Sequence, residues 1–141
     1  MKIFLATLMM SLILLGCSES RSPVNEQSSV PALSKDSVKI LSTSPADTET
    51  LKAGSSVKIR YEVQYNLAST DTGSLTLVVQ DASYETLGNE FYVVHKGSGT
   101  EILEAEITVP ESRAVQVFTP LSPQGSSSTT VVDTRLYKVE Q

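Results

Sequence analysis

Few residues in this chain could carry chemistry. Its 141 residues include one His, His95, one Cys, Cys17, and no Trp. A lone cysteine cannot close an internal disulfide or build a thiolate metal cluster, and a lone imidazole cannot complete a two-histidine zinc site. A nucleophilic triad needs a base oriented beside its serine. His95, between Val94 and Lys96 at the end of a predicted strand, has no serine at a spacing that implies such orientation, so it reads as a strand-end histidine. Glu104 and Glu106, two apart on a predicted strand, would lie about 7 Å apart at Cα, near the separation used in glycoside hydrolysis. Every pair of residues on one strand face meets that criterion, however, and a solvated face is the simpler reading. Asp47 with Glu49, or Asp81 with Glu85, offers oxygens to calcium but lacks the Asp-rich, Gly-punctuated loop of a committed site. No catalytic residue, metal site or cofactor is expected.

Partners are constrained next. With 11 Lys plus Arg against 16 Asp plus Glu, the formal net charge is −5, which disfavours a nucleic-acid backbone. Lys58 and Arg60 share a predicted face with Glu62, which interrupts any basic stripe. Tyr84, Phe91 and Tyr92 have two readings: packing at the core or a sheet edge, or an exposed aromatic patch for a protein or glycan.

The elements that position these side chains follow from period-two alternation. Val57, Ile59, Tyr61, Val63 and Tyr65 fall on one face, with Lys58, Arg60, Glu62, Gln64 and Asn66 on the other, as a strand buried on one side requires. A helix over the same residues would bury charge. Leu75, Leu77 and Val79 form a second inner face. Leu103, Ala105, Ile107 and Val109 form a third, and Val115, Val117, Thr119 and Leu121 a fourth. Further strands are expected at Val38–Leu41, at Phe91–His95 and at Thr130–Val139, with a short extra one at Tyr84–Leu87. The last long strand has apolar residues of both parities, which suggests a bulge or a change of sheet partner. Turn signals lie at Ser44–Asp47, Ala53–Gly54, Asp71–Gly73, Gly88–Asn89, Gly97–Gly99, Pro110–Ser112 and Pro123–Gly125. No convincing helix follows Cys17. The expectation is all-β, with seven or eight strands in an antiparallel sandwich or small barrel.

The N-terminus carries the most specific signal. After Lys2, Ile3–Gly16 runs without charge and as a helix would span only about 21 Å, short of the roughly 30 Å hydrocarbon core. It therefore reads as a targeting segment. Its end, Leu14-Leu15-Gly16-Cys17, resembles the lipobox of bacterial lipoproteins. That resemblance implies a signal peptide over 1–16, lipidation (palmitate among the acyl chains) of Cys17 as the mature N-terminus, and stable attachment to membrane lipid. Ser18 resembles the outer-membrane default, which implies a lipid-anchored protein of the cell envelope, at the outer membrane and bordering the periplasm in a diderm host, with the leaflet it faces left open. Loss of residues 1–16 removes one basic residue and no acidic one, so the mature chain stays acidic. Residues 17–35 contain Pro23, Pro31 and many serines with few aliphatics, and read as a lipid-anchored flexible linker.

The remainder, 36–141, forms one domain. Ser44-Pro45, Lys52-Ala53-Gly54 and the alternating strand Val57 to Tyr65 resemble the opening of bacterial immunoglobulin-like and fibronectin-III-like modules. The resemblance implies an immunoglobulin-like antiparallel β-sandwich. The intersheet cysteines and core Trp of antibody-type domains are missing, and Tyr61, Tyr65 and Phe118 are candidates to supply aromatic bulk instead. The functional expectation is a non-enzymatic, membrane-anchored lipoprotein that supports the envelope or binds a protein or glycan, as a monomer or weak oligomer. The alternatives are an assembly subunit pairing through sheet edges at Val38–Leu41 or Thr130–Val139, and a small hydrolase using His95 or Glu104.

Overall fold

The computed structural model describes residues 35–126 and 131–141. The expected signal peptide, Cys17 and nearly all of the linker lie outside these residues. Within them the protein is all-β, with six strands: β1 (Ser37–Ser44), β2 (Thr50–Lys52), β3 (Ser56–Asp81), β4 (Thr86–Thr108), β5 (Ala114–Pro123) and β6 (Val131–Glu140). Hydrogen bonding joins them into one curled, mixed sheet in the order β1-β3-β5-β6-β2, with β4 also on β3.

Six strands replace the expected seven or eight because β3 and β4 each run through what the sequence suggested were turns. Asp71–Gly73 lies inside β3, while Gly88–Asn89 and Gly97–Gly99 lie inside β4. The true reversal between the two strands is at 82–85, where the Asp81 carboxylate accepts from Ser83 N (2.7 Å) and Glu85 N (2.9 Å). That Asx-type closure supersedes the short extra strand expected at Tyr84–Leu87. Tyr84 itself has φ 66°, in the left-handed region.

β3 and β4 pair along nearly their full length, yet the register breaks between Leu67 and Thr72, where four residues of β3 oppose Lys96 alone. Extra residues on one strand bend it. Asp36 holds the bend: its carboxylate accepts from Ala68 N (2.7 Å), Ser69 N (2.9 Å) and Ser69 Oγ (2.6 Å). Across from it Gly97 takes φ 114°, a conformation that a side chain would oppose. The break divides each long strand into two arms. Residues 56–67 pair with β1 and with 97–108, whereas 72–81 pair with 86–95 and with β5.

The inner faces agree with the alternation. Ile59, Tyr61 and Val63 of β3's first arm, Leu75, Leu77 and Val79 of its second, and Val115, Val117 and Leu121 of β5 are fully buried in one core. Thr119 is equally buried, with its hydroxyl donating to Asp133 O. Phe118 departs from the expectation. Its parity is opposite to that of Val117, so it stands half-buried on the outer face. Tyr65 lies over Gly99, where any Cβ would meet its hydroxyl at 2.6 Å and its ring at 2.8 Å.

β6 pairs with β5 from Val131 to Lys138 without a register shift, so the expected bulge is not there. The second apolar parity simply faces outward: Val132 is 52 % and Leu136 54 % exposed, while Tyr137 is buried. β2 runs parallel to β6, which makes the sheet mixed and not purely antiparallel. The two strands are joined by most of the domain instead of a hairpin, so nothing forces them to run oppositely.

Polar contacts tie the first arms to β6. Tyr61 OH donates to Tyr137 OH (3.1 Å), which donates to Pro45 O (2.9 Å). Ile40 N donates to Asp133 Oδ2 (2.9 Å), and Arg135 pairs with both Asp133 (2.9 Å) and Asp47 (3.4 Å). Burial pushes the Tyr61 hydroxyl far above the usual phenol range, with the Tyr137 hydroxyl adding to the effect.

Candidate binding surface

The two groups of arms present different faces to water. Lys58, Arg60 and Glu62 of β3 stand outward beside Glu104 and Glu106 of β4, in the register Lys58↔Glu106 and Arg60↔Glu104. Glu104 bridges Lys58 (2.5 Å) and Arg60 (3.1 Å), Glu106 accepts from Ser56 Oγ, and Glu62 accepts from Ser42 Oγ. The Lys58 hydrogen bond, against a partial opposing effect of desolvation and with help from Arg60, holds the Glu104 carboxyl below its ordinary range. A general acid needs the opposite displacement. The mixed-charge surface read from the sequence is therefore present, and its charges neutralise one another.

On the other group, the outward parity runs through Asn89, Phe91 and Val93 of β4; Ser74, Thr76, Val78 and Gln80 of β3; Gln116, Phe118, Pro120 and Ser122 of β5; and Val132, Thr134 and Leu136 of β6. None of these is an acid or a base. Only His95, at the end of its arm of β4, and Lys138 and Glu140, at the end of β6, continue the parity with groups that can carry charge. Phe91 is 68 % and Val93 64 % exposed. A shallow depression of about 300 Å³ is lined by Val78, Gln80, Phe118, Pro120 and Val132. Pro120 has no N–H to give, and the β3–β5 pairing lapses between Leu75↔Leu121 and Val78↔Phe118, across the position of Pro120.

The sequence candidates are thus partly separated. Phe91 belongs to this face, joined by Val93, which the sequence reading passed over. Tyr92 has the other parity, and its hydroxyl donates to Glu90 Oε1 (3.3 Å); the Glu90 charge raises its pKa. Tyr84 is at the hairpin tip, 73 % exposed. The three aromatics are exposed but do not make one patch. Parity of the β5 and β6 residues, pursued to its end, contains the signal for Phe118, Val132 and Leu136.

Other candidates are used structurally. The Asp81 carboxylate closes its turn, and Glu49 accepts from Ala46 N (3.0 Å). His95 is exposed opposite Thr72. Among the described residues, no three His, Cys, Asp or Glu side chains converge. Of the edges suggested by sequence, that of β1 is engaged at Ile40 N by Asp133, and that of β6 is partly covered by β2.

No family model and no curated protein matches the chain. Among solved structures it is similar to a β-glucosidase from Listeria innocua, crystallised in complex with gluconolactone, at 16 % identity and a TM-score of 0.46. The match covers 76 % of this chain and 16 % of that protein.

Proposed function

We propose that this protein is a non-enzymatic lipoprotein, held to the envelope membrane through acylated Cys17, whose folded part binds an envelope protein through the outer face of β3–β6. The observation that carries the binding role is a four-strand face whose middle holds no charged side chain, Lys138 and Glu140 standing only at the end of β6, and which bears Phe91, Val93, Val132 and Leu136 in the open. Extended apolar surface of this kind is uncommon on a monomer that only meets water. The lack of carboxylates across its middle and the exposure of Phe91, Val93, Val132 and Leu136 suit a protein better than a glycan, which is held by many directed hydrogen bonds. The low-lying Glu104 and the structural use of Asp81 and Glu49 favour a binding role over hydrolysis.

The folded part reads as an immunoglobulin-like sandwich. In support, the bend in β3 and β4 separates β1, 56–67 and 97–108 from 72–81, 86–95, β5, β6 and β2, with one core collecting the inner residues of both groups.

Two experiments test this. A photo-crosslinker at Thr76 in the full chain should capture a defined envelope protein, whereas the same group at Arg60 should not, and Phe91→Ser with Val132→Ser should abolish the capture. Equal capture from both faces would refute the assignment. Metabolic acyl labelling should disappear in Cys17→Ser, and labelling that persists would remove the anchor.

A further inference from the structure

The two arms of β4 protect their outer edges differently. Along 97–108 the edge carries Glu101, Glu104 and Glu106, and the Glu104 N–H is closed by the Glu90 carboxylate at 2.6 Å. Along 86–95 no strand among the described residues pairs with the edge away from β3. That arm runs Glu90-Phe91-Tyr92-Val93-Val94-His95-Lys96, rich in aromatic and β-branched residues, without proline, and Phe91, Tyr92 and Val93 are exposed. An edge of this composition is a template for another strand.

We propose that residues 90–96 pair antiparallel with the same segment of a second copy of this chain, about a two-fold axis at Val93. Charge selects this occupant over a foreign strand. The segment holds one carboxylate and one lysine, Glu90 and Lys96, each three residues from Val93 and of the same parity. Antiparallel pairing about Val93 sets Glu90 of each copy opposite Lys96 of the other, Phe91 opposite His95, Tyr92 opposite Val94, and Val93 opposite itself. Opposite charges directly across a ladder stabilise it. A parallel pairing would set Glu90 against Glu90, and a slide of two residues would leave both charges facing neutral side chains. Lys96 can turn toward a second copy, since its ion pair with Asp71 is long, at 3.8 Å, and both groups are exposed. Glu90, which accepts from Glu104 N and Tyr92 OH, would receive it on its remaining lone pairs. The symmetry is that of a closed dimer, in which one patch serves both subunits. The outer faces then become continuous, with Phe91 and Val93 of each copy adjoining the seam.

Subunit exchange between two differently tagged full-length chains in detergent tests the proposal. The wild-type chains should form mixed dimers. Lys96→Glu, Glu90→Lys and Val93→Lys should each lower association about tenfold or more, because every change acts twice in a symmetric pair. Mixing the Glu90→Lys chain with the Lys96→Glu chain should restore dimers, since both cross-strand pairs are again of opposite sign. Recovery only in the mixture cannot arise from a misfolded variant. A wild-type chain that stays monomeric throughout the micromolar range would overturn the proposal. So would dimers indifferent to Lys96→Glu and Val93→Lys, or crosslinks from Val93 exclusively to a different protein.

Discussion

The outer face of 56–67 with 97–108 and that of 72–81 with 86–95 are built from the same two strands, yet one is laced with ion pairs and the other has no charge. Both back onto the same core, so burial cannot account for the difference. A sheet face that only meets water tolerates charge freely, as Lys58, Arg60 and Glu104 show. Keeping charge off an equally exposed face, with Phe91, Val93 and Leu136 standing out from it, is the pattern expected where another surface must lie down.

The sharpest way to break this comparison is to cross from outer to inner face within one group. Leu77→Ala, at a fully buried position, should cost about 2–5 kcal/mol in denaturant unfolding, whereas Phe91→Ser should stay within about 0.5 kcal/mol. A comparable loss at Phe91 would mean that its face is structural. Asp36→Ala should cost about 2–3 kcal/mol, because it strands two backbone N–H groups at the bend between the groups.

Asp36, at this bend, and Asp133, on β6 beside Ile40, set the acid response. Burial opposes ionisation of Asp36 and Asp133, but hydrogen bonds outweigh it, from Ser69 and Ala68 to Asp36 and from Ile40 and Thr134 to Asp133; Arg135 adds to the second. Both carboxyls therefore lie below the usual 3.8 in the folded protein. Their contribution is fully present above about pH 4 and is lost as pH falls through the lowered folded values. Melting temperature should decline over that window, and Asp36→Asn should flatten the decline. Next in size, Tyr84→Gly at the hairpin tip should gain about 0.5–1 kcal/mol by relieving the left-handed backbone. The smallest effect belongs to the charged face. Glu104→Gln should change stability near the limit of detection, and less still at high salt.

Most of the core could be read from alternation alone, because a half-buried strand has only one way to arrange Val57 to Tyr65 or Leu103 to Val109. What escaped was the continuity of β3 and β4. Asp71-Thr72-Gly73 has turn composition, and nothing local reveals that Asp36, more than thirty residues earlier, will hold the chain extended through a bend there. The true turn was hidden because its geometry comes from the Asp81 carboxylate and not from glycine. Phe91 was legible as a surface candidate. Its partners on the face were legible only in part. Phe118 has the parity opposite to Val115 and Val117, whereas Val132 and Leu136 lie on a strand with apolar residues of both parities, and only pairing with β5 tells which set faces out.

Asp36 also lies immediately ahead of β1. Traction applied from the amino-terminal side would meet this three-pronged clasp before it could peel the first rung of the β1 ladder. The load would pass into the bend of the longest strand, between its two paired arms, before it reached either ladder.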